Sequence, residues 1–260
     1  MDRRESQVAL VTGASRGIGR AVANKLAAAG TVVVVHYKNR DDDAAKAAAE
    51  IEQGGGRAIS MRADLEKADE VGELVSRVNA SFGRLDVLVL NAAASAFKPL
   101  LEANPNNIKR TFSITLEASL ALVQAATPLM PRVGGRIVAV SGWDTLRIIP
   151  RHGLLAGAKA ALETWIRYLA YELAPNGINV NSVCPGPIED TAYPRVYGGD
   201  QAGYELWRRK RIQATPKGRL GTPVDVANVV RFLCSSEAEW ITGQNIVCDG
   251  GLSLTHLTDS

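Results

Sequence analysis

Val8-Ala9-Leu10-Val11-Thr12-Gly13-Ala14-Ser15-Arg16-Gly17-Ile18-Gly19-Arg20-Ala21-Val22 passes from a short apolar run through a glycine-rich turn directly into helical sequence. Strand, turn and helix in that order form a phosphate-binding arrangement. Glycines permit a tight turn and close approach of backbone to a pyrophosphate, and the helix N-terminus presents free N–H groups and a partial positive charge. Gly13, Ser15, Arg16, Gly17, Ile18 and Gly19 are therefore candidate contacts to a dinucleotide.

Outward from this stretch, apolar runs of strand length recur at 32–35, 58–61, 87–90, 137–140, 178–183 and 246–247. Helical periodicity fills the intervals at about 17–29, 41–53, 68–82, 107–129, 154–174 and 223–235. Strands alternating with helices specify an α/β fold: a doubly wound, Rossmann-type parallel sheet of about seven strands with helices on both faces. No Pro/Ser-rich linker divides the 260 residues, so residues 1–260 read as a single domain. The polar segment at about 190–220 breaks the alternation and reads as a lid over a site.

Composition narrows the function classes. With 46% apolar and 22% charged residues the chain reads as an ordinary globular protein. The expectation is a cytoplasmic protein, since no stretch resembles a secretory leader or an apolar run of spanning length. A net charge of +3 gives no reason to expect nucleic-acid binding, although Arg208-Arg209-Lys210-Arg211 is a local basic run. A solvated helix face explains that run as well as a partner does. Cys184, Cys234 and Cys248 are widely spaced, as are His36, His152 and His256, so neither a metal site nor a disulfide framework is expected. Buried, inert thiols fit the cysteines better.

The end of the second strand reads His36-Tyr37-Lys38-Asn39-Arg40, without the acid that a ribose 2′-hydroxyl usually meets in an NAD site. Lys38, Arg40 and Arg16 could meet a 2′-phosphate instead, which favours NADP(H); they could also be exposed loop cations. Asp64, followed by Leu65, is positioned to accept from an adenine amino group, and Asn91-Ala92 follows the fourth strand at the cofactor edge. Asp64 and Asn91 could equally form turns or caps.

Taken together, these residues resemble the short-chain dehydrogenase/reductase superfamily over nearly the whole chain. The similarity rests on Thr12-Gly13-x3-Gly17-x-Gly19, Asp64, Asn91-Ala92-Ala93, Lys159, Asn179-Val180-Asn181, Pro185-Gly186-Pro187-Ile188-x2-Thr191 and Asp249-Gly250-Gly251. Leu90-Asn91-Ala92-Ala93-Ala94 and Lys159-Ala160-Ala161-Leu162-Glu163 are similar to the type III enoyl-thioester reductases within it. The resemblance adds Pro185, Gly186, Ile188, Thr191 and Lys159 to the cofactor set. It also implies a homo-oligomer, tetramer or dimer, formed through helices 107–129 and 154–174.

Of the superfamily's Asn, Ser, Tyr and Lys, only the Lys is kept here, as Lys159. The Tyr position, four before Lys159, holds Leu155; the Ser position, thirteen before that, holds Gly142 beside Ser141; the Asn position holds Thr115. A leucine transfers no proton, which excludes ketone reduction by the usual route. Type III reductases place a Tyr seven before the Lys, and that position is His152, which can carry a proton near neutral pH. Lys159, His152 and Ser141 are thus the candidate catalytic residues. Ala93, Trp143, Asp144, Leu155, Tyr193 and Tyr197 are the expected substrate pocket, with Asp144 available to orient His152 and the two tyrosines able to enter from the lid. Tyr168 and Tyr171 read as packing residues.

The reading favoured is an NADPH-dependent reductase of an enoyl thioester or related conjugated carbonyl. An acidic carrier protein could deliver the substrate near Arg208 to Arg211. The alternative is a divergent protein that binds NADP(H) without hydride transfer, acting as a cyclase or isomerase, a silent subunit or a sensor.

Overall fold

The computed structural model describes residues 6–189 and 200–255. Thr191, Tyr193, Tyr197 and His256 lie outside the described residues, as does the first part of the expected lid. Seven parallel strands follow the spatial order β3-β2-β1-β4-β5-β6-β7: β1 Val8–Val11, β2 Val32–Tyr37, β3 Arg57–Arg62, β4 Val87–Leu90, β5 Gly135–Val140, β6 Ile178–Pro185 and β7 Asn245–Cys248. The central strands β1, β4, β5 and β6 are buried along their whole length, which accounts for the apolar runs of β1 and β4 and the Val and Ile positions of β5 and β6.

The helices are α1 Gly17–Ala28, α2 Asp41–Gln53, α3 Ala68–Phe82, α4 Pro105–Phe112, α5 Ala118–Ala126, α6 Gly153–Leu173, α7 Gln201–Ala214 and α8 Pro223–Leu233. Apolar positions of α1, α2 and α8 meet one face of the sheet through Val22, Leu26, Ile51 and Val230. The other face buries Leu74, Val78, Leu122, Leu162 and Ile166 from α3, α5 and α6. Order reverses between β1 and β4, and in open α/β sheets ligands bind outside the carboxyl ends of the strands at such a switch point.

Three expectations are corrected. The helix expected at 107–129 starts at Pro105, because Asn104 caps it by accepting from the Asn107 N–H at 2.9 Å and Pro at the first position needs no partner. A π-turn at Ser113–Glu117 interrupts it. The run Pro105–Leu129 is long and apolar enough to cross a membrane by length and composition. It lies against α3, β4 and α6, with Ile114, Leu116, Leu122 and Val123 buried, as expected of a core helix. Part of the irregular 190–220 segment is helical: α7 buries Trp207 and little else, so its sequence carries almost no apolar periodicity. Finally, Tyr168 and Tyr171 do not pack within the chain; they are 67% and 84% exposed on α6.

Candidate active site at the carboxyl edge of the sheet

The glycine-rich turn is held from two sides. Asn91 Nδ2 donates to the Thr12 and Gly13 carbonyls at 2.8 and 3.2 Å, and Thr12 Oγ1 accepts from the Asn91 and Ala92 N–H groups at 2.9 and 3.0 Å. Asn91 therefore clamps the turn to β4. From the other side the Gly13 N–H donates to His36 Nδ1 at 3.1 Å, while His36 Nε2 lies 3.1 Å from the Ala63 carbonyl. Only the neutral Nε2–H tautomer satisfies both contacts. His36 is thus a structural bridge between β2, the turn and the end of β3.

Burial lowers the pKa of His36 from 6.5 to about 4. The unfolded chain takes up this proton first as pH falls, so the stabilisation is intact above pH 6.5 and is lost as pH drops toward 4. The lost stabilisation is about 3 kcal/mol for a displacement of this size. Urea unfolding compared across that window should show a steep acid loss in the wild type and a flatter one in His36→Gln; equal slopes would remove His36 as the cause.

The turn fits a dinucleotide pyrophosphate. Gly13 and Gly17 have φ of +64° and +54°, which an L side chain rarely adopts, and a Cβ at Gly19 would stand 2.4 Å from the Gly13 carbonyl. The first turn of α1 carries no acid and no side-chain cap, so its N–H groups remain available to an anion. Ser15 is buried beneath it, Arg16 is exposed at its rim and Ile18 faces the cavity described below. Beyond β2 and β3 lies a polar cavity lined by Lys38, Asn39, Arg62 and Asp64. Lys38 already pairs there with Asp64 at 2.8 Å and Glu66 at 2.5 Å, and Arg40 pairs with Asp43 at 2.9 Å. A 2′-phosphate would draw these cations away from carboxylates, and Asp64 serves Lys38 and its own turn before any adenine. Leu65 is buried next to Asp64.

An apolar cavity opens beyond the carboxyl ends of β5 and β6. Ile18, Phe97, Ile149, Leu155 and Ile188 give it apolar walls, and Pro185 and Gly186 form its edge. Lys159 reaches it from α6, buried at 4% exposure, with Nζ donating to the Val140 carbonyl. Burial lowers its pKa from 10.5 to about 8, against the opposing influence of Asp144 and Glu163. On the facing side His152 Nδ1 lies 3.1 Å from Asp144 Oδ2, both side chains being less than a tenth exposed. An ionised carboxylate only accepts, so Nδ1 carries the proton and Nε2 is the atom left to exchange one. Arg151, with φ +69°, turns the chain immediately before His152, and the Phe97 ring covers the imidazole at 4.8 Å between centroids. A left-handed non-glycine residue costs roughly 1–2 kcal/mol, a cost accepted here next to the titratable centre.

The residues from 13 to 253 match the model of a protein family described as enoyl-(acyl carrier protein) reductase. The chain belongs to this short-chain dehydrogenase/reductase family. It is 43% identical to the 1-cyclohexenylcarbonyl-CoA reductase of Streptomyces collinus over 97% of this chain and 88% of that one. The landomycin C-6 ketoreductase LanV, with bound NADP and rabelomycin, is 36% identical with a TM-score of 0.84 over 96% and 97% of the two chains. A short-chain dehydrogenase of Burkholderia cenocepacia in complex with NADP is 34% identical, with a TM-score of 0.86 over 96% and 99%.

Within this short-chain dehydrogenase/reductase the altered positions take up distinct places. Leu155 is part of the cavity wall. Thr115 is fully buried in the π-turn, its carbonyl accepting from Ser119 Oγ at 2.9 Å, away from the cavity. Ser141 lines the cavity, but its hydroxyl proton goes to Glu163. Trp143 and Asp144 line it, whereas Ala93 is exposed beyond β4 and outside this wall. The space beside Gly142 is filled by Asp144: a Cβ at Gly142 would stand 2.4 Å from Asp144 Oδ1. Phe97, Ile149 and Glu163 were not singled out from sequence. Only Glu163 carried a signal, lying one helical turn beyond Lys159 and so on the same face of α6. Cys184 and Cys234 are buried and their thiols are pushed up to about 12, as inert cysteines should be, while Cys248 is partly buried.

Proposed function

We propose that this chain is an NADPH-dependent reductase of an α,β-unsaturated acyl thioester. The observation that carries the reading is the Asp144–His152 pair, 3.1 Å apart in an apolar cavity that also contains Lys159 and has Leu155 where the family usually has tyrosine. When bound, the reduced nicotinamide supplies the hydride. The turn at Gly13 to Gly19 would hold its pyrophosphate, Arg16 and Arg40 its 2′-phosphate, and Lys159 the nicotinamide ribose. Addition at the β-carbon leaves negative charge on the thioester oxygen, which the Lys159 ammonium stabilises. His152 as the imidazolium gives its Nε2 proton, while Asp144 holds the Nδ1–H, aims the ring and offsets its charge. The apolar walls exclude water and suit a hydrocarbon acyl group.

The CoA thioester handled by the Streptomyces relative is the best guide to the substrate class. The basic run offers little to a carrier protein: Arg208 pairs with Glu189 at 2.9 Å and Arg211 lies 5.7 Å over the Trp143 ring, leaving Arg209 and Lys210 outward. Exposed Tyr168 and Tyr171 on α6 supply the apolar surface that a homo-oligomer would cover. The segment at about 190–220 is proposed as the substrate lid, with α7 as its second half.

The test is NADPH oxidation with a trans-2-enoyl-CoA and, in parallel, a 3-ketoacyl-CoA. Turnover of the enoyl substrate alone is expected. Turnover of the keto substrate alone overturns the reading, and cofactor binding without any turnover favours a non-redox role. The basic limb of kcat/KM should fall as pH rises through about 8, where Lys159 loses its charge, and Lys159→Arg should move that limb beyond the measurable range. A limb that stays in place assigns it to another group.

A further inference from the structure

We propose that Glu163 is a positioning residue for the proton donor: it clamps both ends of the short turn that carries Asp144 and so aims His152. The proposal rests on the reading of His152 as the acid. Ser141 lies at the carboxyl end of β5 and Thr145 closes the turn Trp143–Thr145. Ser141 Oγ and Thr145 Oγ1 both donate to the same oxygen of Glu163, the latter at 2.8 Å. Thr145 Oγ1 also lies 3.0 Å from the Gly142 carbonyl, and its N–H donates to the same carbonyl at 3.0 Å. The turn is thereby closed on itself and tied to α6 at the two residues that bracket Asp144.

Asp144 needs such support. Its Oδ2 meets His152, but its Oδ1 is buried against Gly142 with no hydrogen-bond donor. A carboxylate anchored through one oxygen keeps its direction only if the backbone beneath it is held. Glu163 is the group that holds it, and Ser141 is part of this clamp instead of a donor to substrate. A serine hydroxyl has one proton, and here Glu163 accepts it. Lys159, one turn earlier on α6, feels the charge of both acids, so geometry and charge must be separated experimentally.

Glu163→Ala removes clamp and charge, whereas Glu163→Gln keeps an acceptor oxygen and removes only the charge. Glu163→Ala is expected to lower kcat for the enoyl thioester by at least tenfold with the NADPH dissociation constant unchanged, and Glu163→Gln to rescue most of that loss. Combined with Asp144→Asn, Glu163→Ala should add little, because both act through His152. A readout independent of turnover is the downfield Nδ1 proton of His152 by NMR, identified by its absence in His152→Gln. It should vanish in Glu163→Ala and return in Glu163→Gln. Should Glu163→Ala not fold, Thr145→Val breaks one arm of the clamp and should broaden the same signal. An unchanged Nδ1 signal in the alanine or valine variant, or losses that multiply in the double variant, overturns the proposal. A wild type with no enoyl turnover but with the expected NMR pattern overturns only the reductase reading and leaves the clamp standing.

Discussion

His152→Gln is expected to lower enoyl-thioester turnover by 10²-fold or more while NADPH still binds. Glutamine fills much of the imidazole's volume and its amide can donate to Asp144, so the loop from Arg151 into α6 should survive. What it lacks is a transferable proton at neutral pH. General acid catalysis is worth roughly 10²–10⁴-fold, and Leu155, at the usual tyrosine position, offers no replacement. The contact with Phe97, 4.8 Å between ring centroids, is a minor part of the loss because it positions the ring without reacting. A loss below tenfold would move proton delivery elsewhere, to Lys159, Tyr193 or Tyr197, and Tyr193→Phe and Tyr197→Phe in the same assay would tell the tyrosines from Lys159.

Gly142→Ser restores the residue type that the family usually has at this position, and it is expected to lower activity by roughly 10²-fold, the cost of about an ångström of misplacement at a reacting group. A Cβ there would stand 2.4 Å from Asp144 Oδ1. The obstacle is the end of a side chain and not backbone, so the fold can accommodate the serine if Asp144 swings away. In doing so Asp144 would surrender the 3.1 Å contact to His152 Nδ1. The melting temperature should change little while kcat collapses, a split that separates a lost dyad from a damaged core. Retained activity would mean that Asp144 does not act through its present position, and the proton donor would need another orienting group.

The two arguments depend on different kinds of information. His152 could be singled out from sequence because its spacing before Lys159 is a local property, His152 standing at the N-cap of the helix that carries Lys159. Gly142 looked there like a simple deletion of the family serine. Only the folded chain turns it into a required absence, since Asp144 occupies that volume. The same contrast applies to Asn91 and His36. Both stood near the cofactor edge in sequence, yet hydrogen bonds across 78 and 23 residues make them braces of the phosphate turn. Ser141, which sequence placed at the reacting centre, is found donating its hydroxyl proton to Glu163.

Elements set by local chemistry were readable. Buried runs of Val, Leu and Ile marked β1 and β4 at their observed limits, and the periodic stretches 41–53 and 68–82 matched α2 and α3. The π-turn at Ser113–Glu117 and the helical nature of Gln201–Ala214 were not, because neither produces an apolar period of its own. Sequence by itself determined the alternation of strand and helix, hence the parallel sheet, the glycine-rich turn after its first strand and the loss of the family tyrosine. Tertiary structure alone decided which polar side chains meet: Asp144 with His152, Glu163 with Ser141 and Thr145, Lys38 with two carboxylates. The physical reason is range. Propensity and periodicity act over a few residues, whereas a hydrogen bond depends on ångström distances between segments whose separation is set only when the sheet and its covering helices have assembled.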